Sequence, residues 1–468
     1  MVKSSWWPPV VAAVLSTLTF LLAKTSLTDD AFITLDYAKN LAVHGEWALI
    51  HGHPANTATS PLHVALLGFV TLLTRVSGAA HPVFALGLVN AGVSAVFGWA
   101  WARMRLPIFA TLLGIVLVLL NPLLLSALGL EVLLIATALI LLVSFADRPV
   151  WFGIIAGLAV LTRLDLAVFV VLIGAVAPAL RRKPLPVLGL FLLVALPWLV
   201  FSWWYFGSAV PDTLVIKQLQ QTFGGHGFFR TGLDMALHGD EISVLSFAPA
   251  LFGVLALLGW LATRRRESLP FFALGLGGIA YYGVYSLLNV PPYHWYYVPP
   301  ILALGMAGAG IAAYWRVPVR AVATAVMVLL VLGYAPAFAR SVPWASPPFF
   351  GNWASAVDYA KVGRELGKRV GTEAVGAPGE IGTLAYFCDC AIVDGFSDPG
   401  LLGPQIRERI DRAGPITGWL LRLNYSRFDW DRRPIPLTYQ MAYAPGPGPW
   451  QVYSAAKGVG HFTLMPIR

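Results

Sequence analysis

Apolar and polar positions along this chain are sorted into long blocks. Apolar runs cover about 6–23, 61–74, 82–101, 107–121, 131–145, 150–162, 164–180, 184–206, 242–262, 268–290, 297–314 and 319–338. A helix that crosses a bilayer needs roughly 17–25 apolar residues. The run Pro61–Thr74 is about 14 residues long before Arg75 and is read instead as a helix lying along the interface. That leaves about eleven crossings, an α-helical polytopic architecture with interfacial helices. After residue 340 the apolar runs stop. Within 341–468 the pattern predicts strand over 370–378, helix over 380–386, strand over 390–394 and helix over 405–413, a small α/β domain. The expected division is therefore 1–340 for the membrane domain and 341–468 for the α/β domain.

Composition agrees with that picture. The chain has 468 residues, 57% hydrophobic and 12% charged, with mean hydropathy +0.71, and a soluble core of ordinary composition does not look like this. The net charge of +9 comes largely from short basic clusters between apolar runs, which argues for membrane topology and against nucleic-acid binding. If Pro61–Thr74 does not cross, Lys3, Arg103/Arg105, Arg148, Arg181-Arg182-Lys183, Arg264-Arg265-Arg266 and Arg316/Arg320 all fall on the cytoplasmic side. The N-terminus is then inside and the α/β domain outside. The first run lacks a small-x-small cleavage site and reads as a retained anchor. Cys388 and Cys390 are the only cysteines; they imply no disulfide framework and too few ligands for a metal site, so a structural role is expected.

This topology gathers the unusual polar groups on the outer face. Asp29 and Asp30 follow the first apolar run, where a helix is predicted to start with Thr28 as its cap. Two adjacent carboxylates at a membrane surface repel each other and hold water strongly. They are either a helix start or an acidic centre for proton or metal chemistry. Glu131 stands alone in an apolar setting, and Arg163-Leu164-Asp165 divides two apolar stretches. Arg163 is either half of a local ion pair or a fork for a phosphate. Lys217, His226, Arg230 and His238 share the 207–240 loop, and Tyr293-His294-Trp295-Tyr296-Tyr297 forms a Pro-led aromatic belt suited to interfacial anchoring or to stacking on a sugar. There is no His-Glu-x-x-His, no Gly-x-Ser-x-Gly, no phosphate-cradling glycine loop and no dinucleotide fingerprint, so nucleotide-driven chemistry is not supported.

Four stretches, in order, resemble the GT-C fold polyprenyl-phosphate-dependent glycosyltransferases, and among them the bacterial cell-wall arabinofuranosyltransferases that use decaprenyl-phosphate arabinose. They are Asp29-Asp30-Ala31-Phe32-Ile33 with Tyr37-Ala38-Lys39-Asn40-Leu41, Thr59-Ser60-Pro61-Leu62, Gly129-Leu130-Glu131, and Leu161-Thr162-Arg163-Leu164-Asp165. Glu380-Ile381-Gly382 and Val393-Asp394-Gly395 are similar to an outer-domain pattern of such enzymes. Leu164 stands where the family usually has proline, and the outer domain is shorter than in the arabinosyl enzymes. The resemblance implies inverting transfer of a sugar, arabinofuranose by this likeness and a hexose such as mannose as the alternative, from a polyprenyl phosphate to a cell-envelope glycan. It places the enzyme in a bacterial plasma membrane with its active site on the extracytoplasmic side. Asp29 is expected to act as base, with Asp30 and Glu131 positioning the acceptor or a divalent cation (Mg2+, Mn2+ or Ca2+) shared by Asp29 and Asp30. Arg163, Lys217 and His294 are expected to hold the donor phosphate, and Tyr37, His53 and Trp295 to touch sugar or acceptor. No nucleotide is needed. A lipid-linked sugar flippase is the rival reading; it predicts discontinuous helices, midplane charges and repeated halves. A non-catalytic sugar-binding scaffold is the third.

Overall fold

The computed structural model describes residues 6–75, 78–219 and 227–467; Lys3 and His226 lie outside the described residues. The chain forms two compact units, Met1–Lys24 with Gly87–Ala195 and Thr222–Phe349, and Thr25–Leu86 with Leu196–Gln221 and Phe350–Arg468.

The first unit is helical. Against the eleven crossings expected, six helices among the described residues are long and apolar enough to cross a membrane: Pro82–Arg103, Ile108–Ser126, Pro184–Tyr205, Glu241–Thr263, His294–Ala312 and Val317–Phe338. Trp7–Ala23, Val132–Ser144, Pro149–Thr162 and Leu164–Val176 in this unit, and Pro61–Leu73 in the second, are apolar but shorter. The polar turns that interrupt the apolar pattern explain the difference. Arg163, for example, takes an extended conformation that ends the helix Pro149–Thr162 before the next begins. The chain is a multi-pass membrane protein. His294–Ala312 is the most buried of the six, whereas Pro184–Tyr205 and Val317–Phe338 keep their leucines and valines outward. Glycine lets the inner helices approach: a Cβ on Gly253 would lie 2.3 Å from the Leu304 carbonyl oxygen.

The second unit is built around the helix Asp29–His44, which ends where Gly45 turns left-handed at φ 71. A hairpin of β1 (Ala48–Ile50) and β2 (His53–Pro54) follows, then the helix Pro61–Leu73. The C-terminal part adds a sheet of β3 (Ala374–Gly376), β4 (Ala391–Val393), β5 (Tyr439–Pro445), β6 (Trp450–Ser454) and β7 (Gly458–Pro466), in the order β4-β3-β5-β7-β6. β3 runs parallel to β4 and β5, and the β5-β7-β6 part is antiparallel. The expected helices over 380–386 and 405–413 are found as Gly382–Cys388 and Gly403–Asp411. The long amphipathic helix Ala356–Val370, started by the Ser355 side chain accepting from the Asp358 N–H, is additional.

The division at residue 340 is corrected. Ile33, Tyr37, Trp47, Leu49, Val64 and Val215 share one hydrophobic core with Leu366, Val375, Leu384, Ile392, Met441 and Phe462. The α/β block thus shares its core with segments far upstream. Cys388 and Cys390 form a disulfide with each other.

Candidate functional site

The second unit holds the acidic centre, and its two aspartates sit in different surroundings. Asp29 is 5% exposed. Its carboxylate accepts the N–H groups of Ile381 (3.1 Å), Gly382 (2.9 Å) and Thr383 (2.7 Å), the start of the helix Gly382–Cys388. Two partly positive ends therefore face one carboxylate, since Asp29 also lies in the first turn of its own helix. The Gly382 backbone approaches so closely that a Cβ there would lie 2.0 Å from the Asp29 carbonyl oxygen. Thr28 sits at the cap position, but its hydroxyl donates to Asn352 Oδ1 (3.0 Å), and the Asp29 N–H donates to the same oxygen (3.3 Å). The helix start is thus capped from residue 352 rather than by Thr28.

Asn352 extends the network. Its Nδ2 donates to Glu380 Oε1 (3.1 Å), while Glu380 Oε2 accepts from the Trp353 N–H (3.1 Å) and from the Tyr359 hydroxyl. Burial pushes the Glu380 carboxyl up to about 8, and the nearby Asp29 charge adds to the rise. Burial also raises Asp29 above its ordinary value, against the lowering effect of its backbone donors. Asp394 rises to about 6 for the same first reason. Its carboxylate accepts the Phe396 N–H (2.7 Å) and Ser397 N–H (3.2 Å), shaping the loop that presents Phe396.

Asp30 is placed differently. It is half-buried, and Lys217 Nζ lies 3.5 Å from its Oδ1. The same ammonium stands over the Phe396 ring, 5.3 Å from its centre, where a cation is attracted by the ring face. Asp30 and Lys217 together offer one acceptor for a proton and one cation for an anion. The expected shared cation does not fit these donors: the Asp29 oxygens are turned to three N–H groups, which repel a cation. Among the described residues no group of three His, Cys, Asp or Glu side chains converges as metal ligands.

The first unit holds the other cluster. Gly129 turns the chain at φ 104, a conformation that favours glycine, and Glu131 then opens the helix Val132–Ser144. Glu131 Oε1 accepts from Arg163 Nη1 at 2.6 Å. Arg163 Nη2 donates to Asp165 Oδ2 (2.6 Å) and to the Tyr285 hydroxyl (3.0 Å), and its Nε to Asp165 (3.1 Å). Tyr281 and Tyr285, one turn apart, both donate to Asp165, and the guanidinium lies 5.3 Å from the Tyr296 ring centre. Two carboxylates around one guanidinium leave no excess positive charge for a phosphate. This is the geometry of a buried, hydrogen-bonded ion cluster.

The remaining candidates divide as follows. Tyr37 is fully buried, its hydroxyl donating to the Ala55 carbonyl (2.9 Å) and bonded to Thr57 Oγ1 (2.7 Å), so it holds the 55–57 loop and presents no ring face to a sugar. His53 is half-buried on β2. In the first unit, Trp295 stacks on Tyr293 at 4.6 Å, and the His294 ring stands 6.2 Å from that of Phe349. Glu380, Asn352, Tyr359, Tyr281 and Tyr285 were not singled out from the sequence as site residues. The Glu380-Ile381-Gly382 and Val393-Asp394-Gly395 stretches carried a signal, and the structure gives them physical content as the start of a helix and an Asp-led turn.

No family model matches this chain, and no curated protein matches it either. Solved structures do. ArnT from Cupriavidus metallidurans in the apo state superposes with a TM-score of 0.60 at 15% identity, over 93% of this chain and 92% of that one. The same protein bound to undecaprenyl phosphate gives 0.58 at 14% identity, over 97% of both chains. The oligosaccharyltransferase of Archaeoglobus fulgidus in the apo form gives 0.53 at 12% identity, over 94% of this chain and 70% of that one. At these identities the likeness is one of fold, and it extends over nearly the whole chain: this protein has the GT-C fold.

Proposed function

We propose that this protein is a membrane glycosyltransferase that moves a sugar from a polyprenyl phosphate to a glycan hydroxyl. The observation that carries this reading is the whole-length likeness to ArnT bound to undecaprenyl phosphate. On that fold, Asp30 is the aspartate of the pair whose carboxylate is not spent on backbone donors, and it lies beside a cation. Asp30, rather than Asp29, takes the proton from the acceptor hydroxyl. The acceptor oxygen bonds to the anomeric carbon, the bond to the phosphate oxygen breaks, and the polyprenyl phosphate leaves with the electron pair. Lys217 offsets the charge that grows on it. One displacement inverts the anomeric centre. Asp29 positions the helix start on which Asp30 sits, and Arg163 with Glu131 and Asp165 fixes three segments of the helical unit. The Cys388–Cys390 disulfide supports an extracytoplasmic placement, since disulfides persist in oxidising compartments. Arabinofuranose is the proposed sugar and a cell-envelope glycan the proposed acceptor, both on the sequence resemblance.

Purified protein with a panel of pentose and hexose polyprenyl phosphates tests this. Turnover of the pentose donor is expected; turnover of a hexose donor alone replaces the sugar, and lipid translocation with no turnover of any donor replaces the enzyme with a flippase. Asp30→Asn should lower kcat about 10²–10⁴-fold, the usual worth of a general base, at an unchanged melting temperature. Full activity in that variant returns the base role to Asp29.

A further inference from the structure

The helix Pro415–Asn424 is oriented the wrong way for a soluble domain. Gly418 and Leu421 point inward, followed by the buried Tyr425. Ile416, Trp419, Leu420 and Leu423 point outward and are 77%, 59%, 51% and 53% exposed. Their spacing of three and four residues makes one continuous apolar stripe along the helix. Arg422 flanks it and is exposed. A soluble surface rarely carries four large apolar side chains in a row, and such a stripe with a basic border is what an interfacial helix presents to a bilayer.

The position of the helix supplies the second observation. It is fastened to the C-terminal end of the span Pro184–Tyr205, whose last half belongs to the same compact unit. The Trp203 indole N–H donates to the Leu423 carbonyl (3.2 Å) and to Ser426 Oγ (3.2 Å). Arg427 lies 5.0 Å from the Trp203 ring centre. The Ala209 and Val210 N–H groups both donate to Asn424 Oδ1 (2.9 Å each). A Cβ on Gly207 would be 2.6 Å from Phe428 Cα, so the turn after the span and the segment after the helix touch backbone to backbone. That end of the span is itself aromatic and outward-facing, with Phe201, Trp204 and Tyr205 at 43%, 66% and 49% exposure. Tryptophan and tyrosine at the end of a span mark the headgroup level. The stripe therefore begins where the span leaves the hydrocarbon.

We propose that the helix Pro415–Asn424 is a membrane-interfacial anchor: Ile416, Trp419, Leu420 and Leu423 sink into the acyl boundary beside the end of Pro184–Tyr205, and Arg422 and Arg427 meet lipid phosphates. The occupant of the face is the bilayer. A second copy of the chain or a protein partner would not account for its continuity with the lipid-facing surface of the span.

The test uses the full chain in nanodiscs of phosphatidylethanolamine and phosphatidylglycerol. Leu420→Cys takes an environment-sensitive fluorophore, since the two native cysteines are joined to each other. Blue-shifted emission, quenched at least twofold by lipids carrying a nitroxide near the headgroup, is expected. Emission typical of water, with no quenching, overturns the proposal. Shielded emission without lipid quenching, accompanied by two bleaching steps per particle, assigns the face to a second copy and overturns it as well. A second variant, Trp419→Ala with Leu420→Ala, removes exposed groups only and should fold. Its melting temperature should match wild type in a neutral detergent and fall below it in nanodiscs; equal loss in both media would make the stripe a packing feature instead.

Discussion

Gly382 shows how much one backbone position can carry. Its N–H is one of three that hold Asp29, and no side chain fits between it and the Asp29 carbonyl. Gly382→Ala forces backbone against backbone, so a loss of about 1–3 kcal/mol is expected, read as a lower melting temperature in micelles. Glu380 makes a different prediction. The folded protein holds the Glu380 proton up to about pH 8, while the unfolded carboxyl releases it near 4.5. Between those values the folded state binds more protons, so stability falls as pH rises through that window and levels off above it. Asp36 and Asp394, each raised to about 6, and Asp212, raised to about 7, contribute with the same sign. Glu380→Gln should therefore flatten the upper part of the melting-temperature profile, between about pH 7 and 9; an unchanged slope there would place the proton elsewhere. The pair Asp29-Asp30 was visible in the sequence because adjacent carboxylates after an apolar run are unusual. The different fates of its members were not visible, because the donors that separate them come from residues 381 to 383.

At the scale of elements, the apolar blocks identified the helices well and their ability to cross less well. Length decided Pro184–Tyr205 and Glu241–Thr263, but an apolar run as short as Val132–Ser144 has no feature of its own that says where it sits. Of the strands, β3 and β4 fall inside the stretches expected over 370–378 and 390–394, whereas β5 to β7, in a stretch rich in glycine and proline, had no strand expectation. Helix packing is open to test at Gly253, where the obstacle is the Leu304 carbonyl rather than a movable side chain. Gly253→Val should drive the two helices apart and abolish recovery of folded protein from membranes. Arg163→Ala leaves the buried Glu131 and the half-buried Asp165 without their cation, and a loss of about 3 kcal/mol, the low end for a buried pair, is expected. If Arg163 served the donor alone, the donor KM would rise and the melting temperature would not move. The disulfide holds Asp389 between its cysteines, and Asp389 pairs with Lys39 at 2.8 Å. Cys388→Ser with Cys390→Ser should cost on the order of 1–2 kcal/mol, because the closed loop is short.

At the scale of the whole molecule, the sequence reading placed a membrane domain and an α/β domain end to end, and the structure divides the chain differently. The hydrophilic tail shares a core with the helix Asp29–His44 and its hairpin, a partnership that composition does not reveal because both partners look complete locally. That partnership also sets a schedule for biogenesis. The carboxylate of Asp29 and the N–H of Gly382 are 353 positions apart. At about 5–20 residues per second of synthesis, roughly 20 to 70 s pass between the appearance of the first and the second. Over that interval the acidic helix has left the ribosome while its cap does not yet exist. The nascent chain must keep two neighbouring negative charges in water, and the inner core of this unit, which runs from Ile33 to Phe462, closes only after Phe462 has been made.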